Sequence, residues 1–303
     1  MLLQKGTLWE CITATTKRAL ASGVLLPAHT TYTYVEDGGI QFFVRVLASL
    51  QRKEEAREIQ SAAALPKEQT NPFLPPEKEL TVADISETHI AILNKFNVVD
   101  HHLLIVTRRF EDQEMLLTPH DFEALWICMA DFNCLGFYNG GREAGASQQH
   151  KHLQIVPLPL APTGPAVPIE PFLDQKKEAE RGTLPGFAFL HAFQRLSPDI
   201  GRSPDLAAKK TFQFYCSMLK NVGMTAPALV GETRQSLPYC FLMTRDWMLL
   251  VPRSQECLED ISINSLAFAG SFFVRNDKQL ERLKSFGPLR TLQSVAVPKE
   301  QQS

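Results

Sequence analysis

The residues best suited to chemistry lie in one segment, where a glycine-bearing loop runs into the pattern His-x-His-x-Gln. The pattern covers His150, His152 and Gln154, and the apolar residues around it predict a short β-strand. Because strand side chains alternate between faces, the two histidines and the glutamine share one face. Neighbours in that row stand about 6.5–7 Å apart, so all three can surround one phosphoryl group. Lys151 takes the other face, and we assign it no catalytic role.

The loop before this strand has the composition of a phosphate cradle. Gly140, Gly141 and Gly145 permit unusual backbone angles and a close approach of the main chain to a ligand. Consecutive backbone N–H groups in such a loop can point at an anion. Asn139 and Ser147 add side-chain hydrogen-bond donors, so loop and strand together indicate phosphate chemistry.

A histidine can act as a nucleophile here without a separate base. Its usual pKa of about 6.5 leaves most of the imidazole neutral at pH 7. Attack on phosphorus would give a phosphoramidate and divide one displacement into two steps, as covalent catalysts do. The amide of Gln154 can donate a hydrogen bond to a phosphoryl oxygen without titrating, which is typical of charge stabilisation.

Two other interpretations of the strand stay open. His-x-His is also a spacing of metal ligands, and a third ligand elsewhere would complete a zinc site. Against this, the strand face carries no carboxylate or cysteine, and the chain has no Cys-x-x-Cys pattern. The histidines could also belong to an ordinary strand end exposed to solvent.

The elements that must position these residues suggest an α+β protein. A cap at Thr118, Pro119 at the first helical position and Gly136 at the far end predict the helix that precedes the glycine loop. Further helices are predicted near the N-terminus, over 204–222, and between Asn276 and Gly287. Strands are predicted over 30–36, 40–47, 89–93, 102–107, 239–244 and 247–251, the first two around an Asp-Gly-Gly turn.

The loop and the strand resemble the active-site signature of the histidine triad superfamily. Glutamine in the third position resembles its nucleotidyltransferase branch, whereas hydrolases of the superfamily carry a third histidine there. Other segments resemble one family, the ATP adenylyltransferases or diadenosine tetraphosphate phosphorylases, in an order and spacing that run across most of the chain, from about Phe42 to Arg275. They are Leu93-Asn94-Lys95-Phe96 with His102-Leu103-Leu104-Ile105-Val106-Thr107, Thr244-Arg245-Asp246-Trp247-Met248 through Val251-Pro252-Arg253-Ser254, and Ile263-Asn264-Ser265-Leu266-Ala267-Phe268-Ala269-Gly270.

The resemblance implies a histidine-triad-like antiparallel sheet flanked by helices, similar to galactose-1-phosphate uridylyltransferase. It implies a catalytic half at 1–165 and an ATP adenylyltransferase half at 166–303 that packs on the first and adds substrate contacts. It also implies a reversible ping-pong reaction. The nucleophile takes AMP from diadenosine tetraphosphate and releases ATP, and inorganic phosphate then removes the AMP as ADP.

The resemblance implies site residues by position. His152 matches the nucleophile, with His150 and Gln154 flanking the phosphoryl group. Ser271 and Arg275 stand where the family usually has methionine and lysine. The positions matched to nucleotide contacts are Lys53 (beside Arg52), Asn94, Lys95, Asn139, Gly145, Ala146, Ser147, Gln148, Asn264, Ser265, Leu266, Ser271 and Arg275. The adenine pocket is not assigned, because Phe96, Phe268 and Trp247 are each expected in the core.

Whole-chain properties limit the class of protein. Thirty-one basic and 33 acidic residues give a net charge of −2, which provides no electrostatic case for binding nucleic acid or a membrane surface. No apolar run approaches the roughly 20 residues that a bilayer span needs. Six dispersed cysteines are typical of reduced core residues, so we expect a cytoplasmic protein. The resemblance implies that its partners are small molecules, namely diadenosine tetraphosphate, phosphate, ADP and ATP.

The sequence leaves open whether a divalent cation takes part and which of two alternative functions could apply. We expect no tightly bound cofactor, and magnesium would arrive with the polyphosphate. A related transferase, acting by adenosine phosphosulfate phosphorolysis or by uridylyl transfer, is one alternative function. A module that binds dinucleoside polyphosphates without turnover is another.

Overall fold

The computed structural model describes residues 2–47, 71–174, 181–184, 186–226 and 233–299. The helices are α1 Leu8–Ala21, α2 Pro119–Asp131, α3 Glu170–Asp174, α4 Pro204–Asn221, α5 Ser265–Phe268, α6 Asp277–Phe286 and α7 Pro288–Val295. The strands are β1 Thr30–Asp37, β2 Ile40–Leu47, β3 Thr81–Asp84, β4 His89–Leu93, β5 Leu103–Thr107, β6 Cys134–Gly140, β7 His152–Pro157, β8 Arg181–Gly182, β9 Ala192–Arg195, β10 Tyr239–Met243, β11 Trp247–Pro252, β12 Cys257–Leu258, β13 Ile261–Ser262 and β14 Ser271–Val274.

Helix α2 begins as its sequence predicts but ends earlier. The Thr118 side chain accepts from the Asp121 N–H, and the Asp121 carboxylate accepts from the Thr118 N–H at 2.6 Å, which forms a capping box. The predicted end at Gly136 is wrong, because Gly136 lies inside β6. A Cβ there would approach Leu125 Cδ1 to 2.6 Å. The glycine therefore lets the helix pack close to the sheet instead of ending it.

The helices near the C-terminus follow their capping residues. Asn276 Oδ1 accepts from the Gln279 N–H at 2.9 Å, and α6 ends before Gly287, as predicted. Helix α7 was not predicted. It begins directly after that glycine with Pro288 at its first position, where the missing N–H removes no helical hydrogen bond.

Strands β1 and β2 form the predicted hairpin. Gly38 and Gly39 have φ values of 56° and 80°, as the tight turn between two strands requires. Strand β14 pairs with β2 in parallel, from Ser271 opposite Phe43 to Val274 opposite Val46, and completes a three-stranded sheet. The C-terminal half thus adds a strand to a hairpin from the N-terminal half.

The large sheet also takes strands from both halves of the chain. Its order is β3-β4-β5-β7-β6-β10-β11-β9-β8, and every neighbouring pair is antiparallel. Strand β7, which carries His152 and Gln154 of the histidine pattern, lies between β5 and β6. Strand β10 pairs with β6 from Tyr239 opposite Gly140 to Met243 opposite Gly136, so the two halves share one continuous sheet.

Each face of the large sheet packs against its own hydrophobic core. One core combines Leu153 and Ile155 of β7 with apolar residues of α1, α2 and α4. The other combines Val156 and Phe137 with residues of the three-stranded sheet, α5, α6 and α7. This arrangement confirms the α+β class, with an antiparallel sheet between helices and a second sheet. Within the described residues, no helix is both long and apolar enough to cross a membrane.

Candidate active site

His152 is the first residue of β7 and lies opposite Val106 of β5. Its Nδ1 lies 2.8 Å from the carbonyl oxygen of His150, which can only accept, so Nδ1 must carry the proton. The backbone N–H of His152 donates to Gln113 Oε1 at 2.8 Å, which fixes the strand end. The unprotonated Nε2 is left for a ligand, and the side chain lines a cavity.

The surroundings keep this imidazole neutral. Burial lowers the pKa of His152 to about 4, and the nearby His150 ring adds to the decrease, although the hydrogen bond to the His150 carbonyl opposes it. The ring therefore keeps a free lone pair at pH 7. This is the protonation state that attack on phosphorus requires.

The cavity lies where the large sheet faces the three-stranded sheet and has a volume of about 410 Å³. This is within the range of small-molecule sites. Polar groups from both halves of the chain line it. They are Arg45, Asn94, Lys95, His102, Asn139, Ser147, Gln148, His152, Gln154, Asn264 and Ser271, with Glu77, Gly145, Leu266 and several apolar side chains.

Gln154 shares the cavity face with His152, as strand alternation predicts. His102 Nε2 lies 3.0 Å from Gln154 Oε1, and Asn94 Nδ2 lies 3.2 Å from His102 Nδ1. Burial lowers the pKa of His102 to about 4; the hydrogen bond to Gln154 opposes this decrease, and the nearby His152 ring adds to it. His102 is therefore neutral at pH 7. Its contact with Gln154 was not foreseen, although the sequence of β5 places it at the start of a neighbouring strand.

The glycine loop offers fewer free N–H groups than its composition suggests. Gly145 has φ of +93°, and a Cβ on it would lie 2.9 Å from Asn264 Cβ, so this position requires glycine. The N–H groups of Ala144 and Ala146 donate to the Gly141 carbonyl, and that of Gly145 donates to Arg142.

The backbone N–H groups of Ser147 and Gln148 are the candidate donors to an anion in this loop. The N–H groups of Ser147 and Gln148 have no hydrogen-bond partner among the described residues, and both residues line the cavity. Ala146 is not among the lining residues. The candidate donors therefore lie at the end of the loop closest to β7 in sequence.

Asn139 lines the cavity from the end of β6, and its orientation depends on the C-terminal half. Asn139 Oδ1 accepts from the Ser265 N–H at 3.0 Å and lies 2.7 Å from Ser265 Oγ. The Asn139 amide NH₂ is therefore the group available to a ligand. Ser265 is fully buried and does not line the cavity, so the structure places it behind Asn139 instead of against the substrate space.

The other C-terminal candidates lie around the far wall. Asn264 caps α5 by accepting from the Leu266 N–H at 3.0 Å, and both residues line the cavity. Ser271 lines it from β14. Arg275 lies outside it, in a neighbouring cavity of about 140 Å³ that shares Asn264 with the first.

Of the N-terminal candidates, Asn94 and Lys95 line the cavity. Lys95 Nζ lies 2.8 Å from Glu77 Oε1, so a phosphate that binds this lysine would compete with a carboxylate. Lys53 lies outside the described residues. Phe96 is 59% exposed and lines the cavity, so its expected place in the core was wrong, whereas Phe268 and Trp247 are buried as expected.

His150 is not among the residues that line the cavity. Its Nε2 lies 2.8 Å from the Thr107 carbonyl oxygen and its Nδ1 lies 3.0 Å from Asn71 Nδ2, so protein atoms engage both ring nitrogens. Its carbonyl oxygen orients His152. Lys151 points to the opposite face, where Nζ lies 2.7 Å from Asp121 of α2. Among the described residues, no group of three or more His, Cys, Asp or Glu could hold a metal ion.

Arg45 is the main cavity residue that the sequence analysis missed. Its guanidinium donates to Ser271 Oγ at 2.9 Å and to the Leu160 carbonyl at 2.8 Å, and stacks on Phe43 at 4.4 Å. Burial lowers its pKa to about 10, although the charge of Asp100 opposes this, so it stays cationic at neutral pH. It forms no ion pair within the described chain. In the sequence, Arg45 is the single charged residue among the mostly apolar residues of β2, and this could have indicated a role in a site.

Both halves of the chain match known sequence families. A sequence model described as the Ap4A phosphorylase N-terminal domain matches residues 1–175, and one described as the ATP adenylyltransferase C-terminal domain matches 185–298. Diadenosine 5',5'''-P1,P4-tetraphosphate phosphorylase 2 of Saccharomyces cerevisiae is 29% identical over 272 residues, which cover 80% of this chain and 79% of the relative. Protein APA1 of the same yeast is 28% identical over 241 residues, 70% of this chain and 71% of that protein.

Solved structures agree with the sequence comparisons. The crystal structure of yeast Ap4A phosphorylase Apa2 in complex with AMP has a TM-score of 0.75 at 23% identity and covers both chains completely. The same enzyme in complex with Ap4A has a TM-score of 0.73 at 24% identity, covering 99% of this chain and all of that one. These two likenesses establish the fold. With the first domain model alone covering more than half of the sequence, the chain belongs to the Ap4A phosphorylase family of ATP adenylyltransferases.

Proposed function

We propose that this enzyme phosphorolyses diadenosine tetraphosphate, Ap4A, with inorganic phosphate to ADP and ATP, reversibly, through an adenylylated His152. Family membership supports the overall reaction. The observation that carries the mechanism is the state of His152. Its Nδ1 proton is directed to the His150 carbonyl, while a neutral Nε2 faces the cavity.

The first half-reaction transfers AMP to the enzyme. The Nε2 lone pair attacks the α-phosphorus of one adenosine, a nitrogen–phosphorus bond forms, and the bond from that phosphorus to the bridging oxygen breaks. The bridging oxygen keeps the electron pair and leaves as part of ATP. The imidazole becomes cationic, and the Nδ1–H bond to the His150 carbonyl stabilises that charge.

The second half-reaction restores the enzyme. An oxygen of inorganic phosphate attacks the same phosphorus, the nitrogen–phosphorus bond breaks, and the electron pair returns to Nε2 of His152. The product is ADP. The amide of Gln154 can donate to the phosphoryl oxygens in both steps without taking up or losing a proton, which suits transfer between two anionic partners.

The cavity can neutralise a polyphosphate. Arg45 contributes a partly buried positive charge, and Lys95 contributes a second one when its ion pair with Glu77 is broken. Asn139 and Ser147 offer uncharged donors. Arg45 is partly buried and forms no ion pair with the described residues, so an anionic ligand would find its charge poorly screened by water.

Two further expectations complete the proposal. Magnesium would arrive on the polyphosphate, because Glu77, the carboxylate among the described lining residues, already pairs with Lys95. We place the enzyme in the cytoplasm. All six cysteines are free, as in a reducing compartment.

The test is to mix the enzyme with Ap4A, with and without phosphate, and to follow nucleotides and intact protein mass. Without phosphate we expect ATP release and a protein heavier by one AMP; phosphate should then give ADP. His152→Ala should form neither product nor adduct. Absence of ADP with the wild-type enzyme, or comparable turnover by the variant, would refute the mechanism.

His191 provides an internal control for the site of modification. It is buried, its Nδ1 lies 2.8 Å from the Phe189 carbonyl, and burial lowers its pKa to about 4, with the Phe189 bond opposing the decrease. It differs from His152 because its Nε2 accepts from the Leu184 N–H at 2.6 Å. Peptide mapping should therefore find AMP on His152 and none on His191.

A further inference from the structure

Three side chains form a chain of hydrogen bonds that ends at the cavity. Asn94 Nδ2 lies 3.2 Å from His102 Nδ1, and His102 Nε2 lies 3.0 Å from Gln154 Oε1. All three residues line the cavity, and His102 is only 7% exposed. Asn94 lies just after β4, His102 just before β5, and Gln154 in β7, so the chain of bonds crosses three neighbouring strands.

The direction of every bond follows from one backbone group. The N–H of Phe96 points at the Asn94 amide, at 3.2 Å from Oδ1. An N–H can only donate, so the atom facing it must be the oxygen, and the Asn94 NH₂ must face His102. His102 Nδ1 then has to accept, which places the ring proton on Nε2.

The directions of the hydrogen bonds are fixed as far as the cavity. Because His102 Nε2–H donates, Gln154 must present its oxygen to His102. The Gln154 NH₂ then lies on the other side of the amide, and it has no hydrogen-bond partner among the described side chains and backbone groups. The amide therefore has its donors free on the side where His152 also faces the cavity.

We propose that Asn94 and His102 are positioning residues that fix the orientation of the Gln154 amide, so that its NH₂ and not its oxygen meets the phosphoryl group under transfer. This inference rests on the proposed function. In the reversed amide, an oxygen would face the phosphoryl oxygens, and repulsion would replace a hydrogen bond as negative charge develops. Orientation of the amide, and not only its presence, then determines the rate.

A matched pair of substitutions tests the role of His102. Leucine removes the donor and leaves Gln154 free to turn, so His102→Leu should lower kcat about 10- to 100-fold, with a much smaller change in KM. The amide nitrogen of glutamine can stand near the position of Nε2. His102→Gln should therefore keep kcat within about threefold of the wild type. His120→Leu, an exposed change on α2, is the control.

A double-mutant cycle separates positioning from a general structural effect. If His102 acts through Gln154, then His102→Leu should cost less than about twofold when Gln154→Leu is already present. Additive losses, equal losses in His102→Leu and His102→Gln, or an unchanged kcat in His102→Leu would overturn the proposal.

The protonation of His102 can be read without any turnover. Nitrogen-15 NMR of the ring in the wild-type enzyme should find the proton on Nε2, and a proton on Nδ1 would overturn the proposal. If the wild-type enzyme fails to phosphorolyse Ap4A, the proposed function fails, yet this measurement still decides the direction of the bonds. Circular dichroism of each variant separates a loss of fold from a loss of rate.

Discussion

Burial of His152 has a kinetic consequence that can be measured directly. Burial and the His150 ring lower its pKa to about 4, so the nucleophile is neutral above that pH and is lost as pH falls through it. We predict that kcat/KM for Ap4A falls on the acid side with a midpoint near pH 4. This ratio reports the free enzyme. A midpoint at about 6.5, the value of an exposed histidine, would contradict the buried state.

Arg45 gives a second prediction at the residue scale. It is a partly buried cation of the cavity wall without an ion-pair partner among the described residues. Arg45→Met keeps an unbranched apolar stem and removes the charge. Losing a charge-assisted contact of about 1.5–3 kcal/mol should raise KM for Ap4A roughly 10- to 100-fold. Arg290→Met, an exposed change on α7, should leave KM unchanged, and equal KM values for the two variants would exclude the role of Arg45.

At the residue scale, the sequence predicts which side chains can do chemistry better than it predicts which residues contact one another. Alternation along one strand suffices to pair His152 with Gln154 and to exclude Lys151. It cannot show that Ser265 supports Asn139 from 126 residues away, because that contact exists only after the halves pack together. Arg45 was missed because its contact with Ser271 also joins the two halves.

The contact between α2 and the large sheet depends on one buried carboxylate. Asp121 caps its own helix, lies 3.0 Å from His89 Nε2 and lies 2.7 Å from Lys151 Nζ. Burial alone would raise the pKa of Asp121, but the charges and hydrogen bonds of Lys151 and His89 hold it well below its usual value. Its stabilising effect is therefore full above its unfolded pKa of about 3.9 and is lost as pH falls further.

We predict that Asp121→Asn destabilises the protein by about 3 kcal/mol. Asparagine can still cap the helix, but Lys151 would remain a buried cation whose carboxylate partner among the described residues is Glu111, at 3.2 Å, beside the neutral Leu116 carbonyl at 3.1 Å. Glu123→Gln on the same helix removes an exposed pair with His120 and should change stability by less than about 0.5 kcal/mol. Urea unfolding at pH 7 compares them. Equal midpoints would show that the buried pair contributes little.

The loss of stability in acid needs a control when kcat/KM is measured against pH. Both His152 and Asp121 respond to acid below about pH 5. Circular dichroism at each pH should show that the fold outlasts the activity as the solution is acidified. If the fold is lost first, the decrease of kcat/KM in acid reports unfolding and not the protonation of His152.

At the element scale, apolar runs and turn signals predicted most of the longer strands, including β4, β5, β10 and β11, which are buried at every position. The hairpin β1–β2 has both signals, and its bounds agree to within one residue. Strand β6 was missed although Cys134–Gly140 is likewise buried at every position. Its two glycines suggested the end of a helix and a loop, whereas close packing against α2 and Tyr239 explains them.

The whole molecule is built so that neither half encloses the site alone. His152, Gln154 and the glycine loop come from the first half, whereas Asn264, Leu266 and Ser271 come from the second. Arg253 links the two, since its guanidinium lies 3.4 Å from the Ala144 carbonyl in the glycine loop. Sequence resemblance could place residues from both halves in one site. It could not supply the shared sheet, which requires the pairing of β6 with β10.

This architecture predicts that the halves do not fold independently. In a fragment of residues 1–165, β6 would lose β10 and become an exposed edge, and both cores would lose the apolar side chains of β10 and β11. We expect fragments 1–165 and 166–303, expressed separately, to lack a cooperative thermal transition and adenylylation of His152. Coexpressed, they should recover both, because the missing strand is supplied in trans. Calorimetry and intact mass provide the measurements, with the uncut chain as control. A cooperative transition in fragment 1–165 alone would mean that the first half folds without the shared sheet.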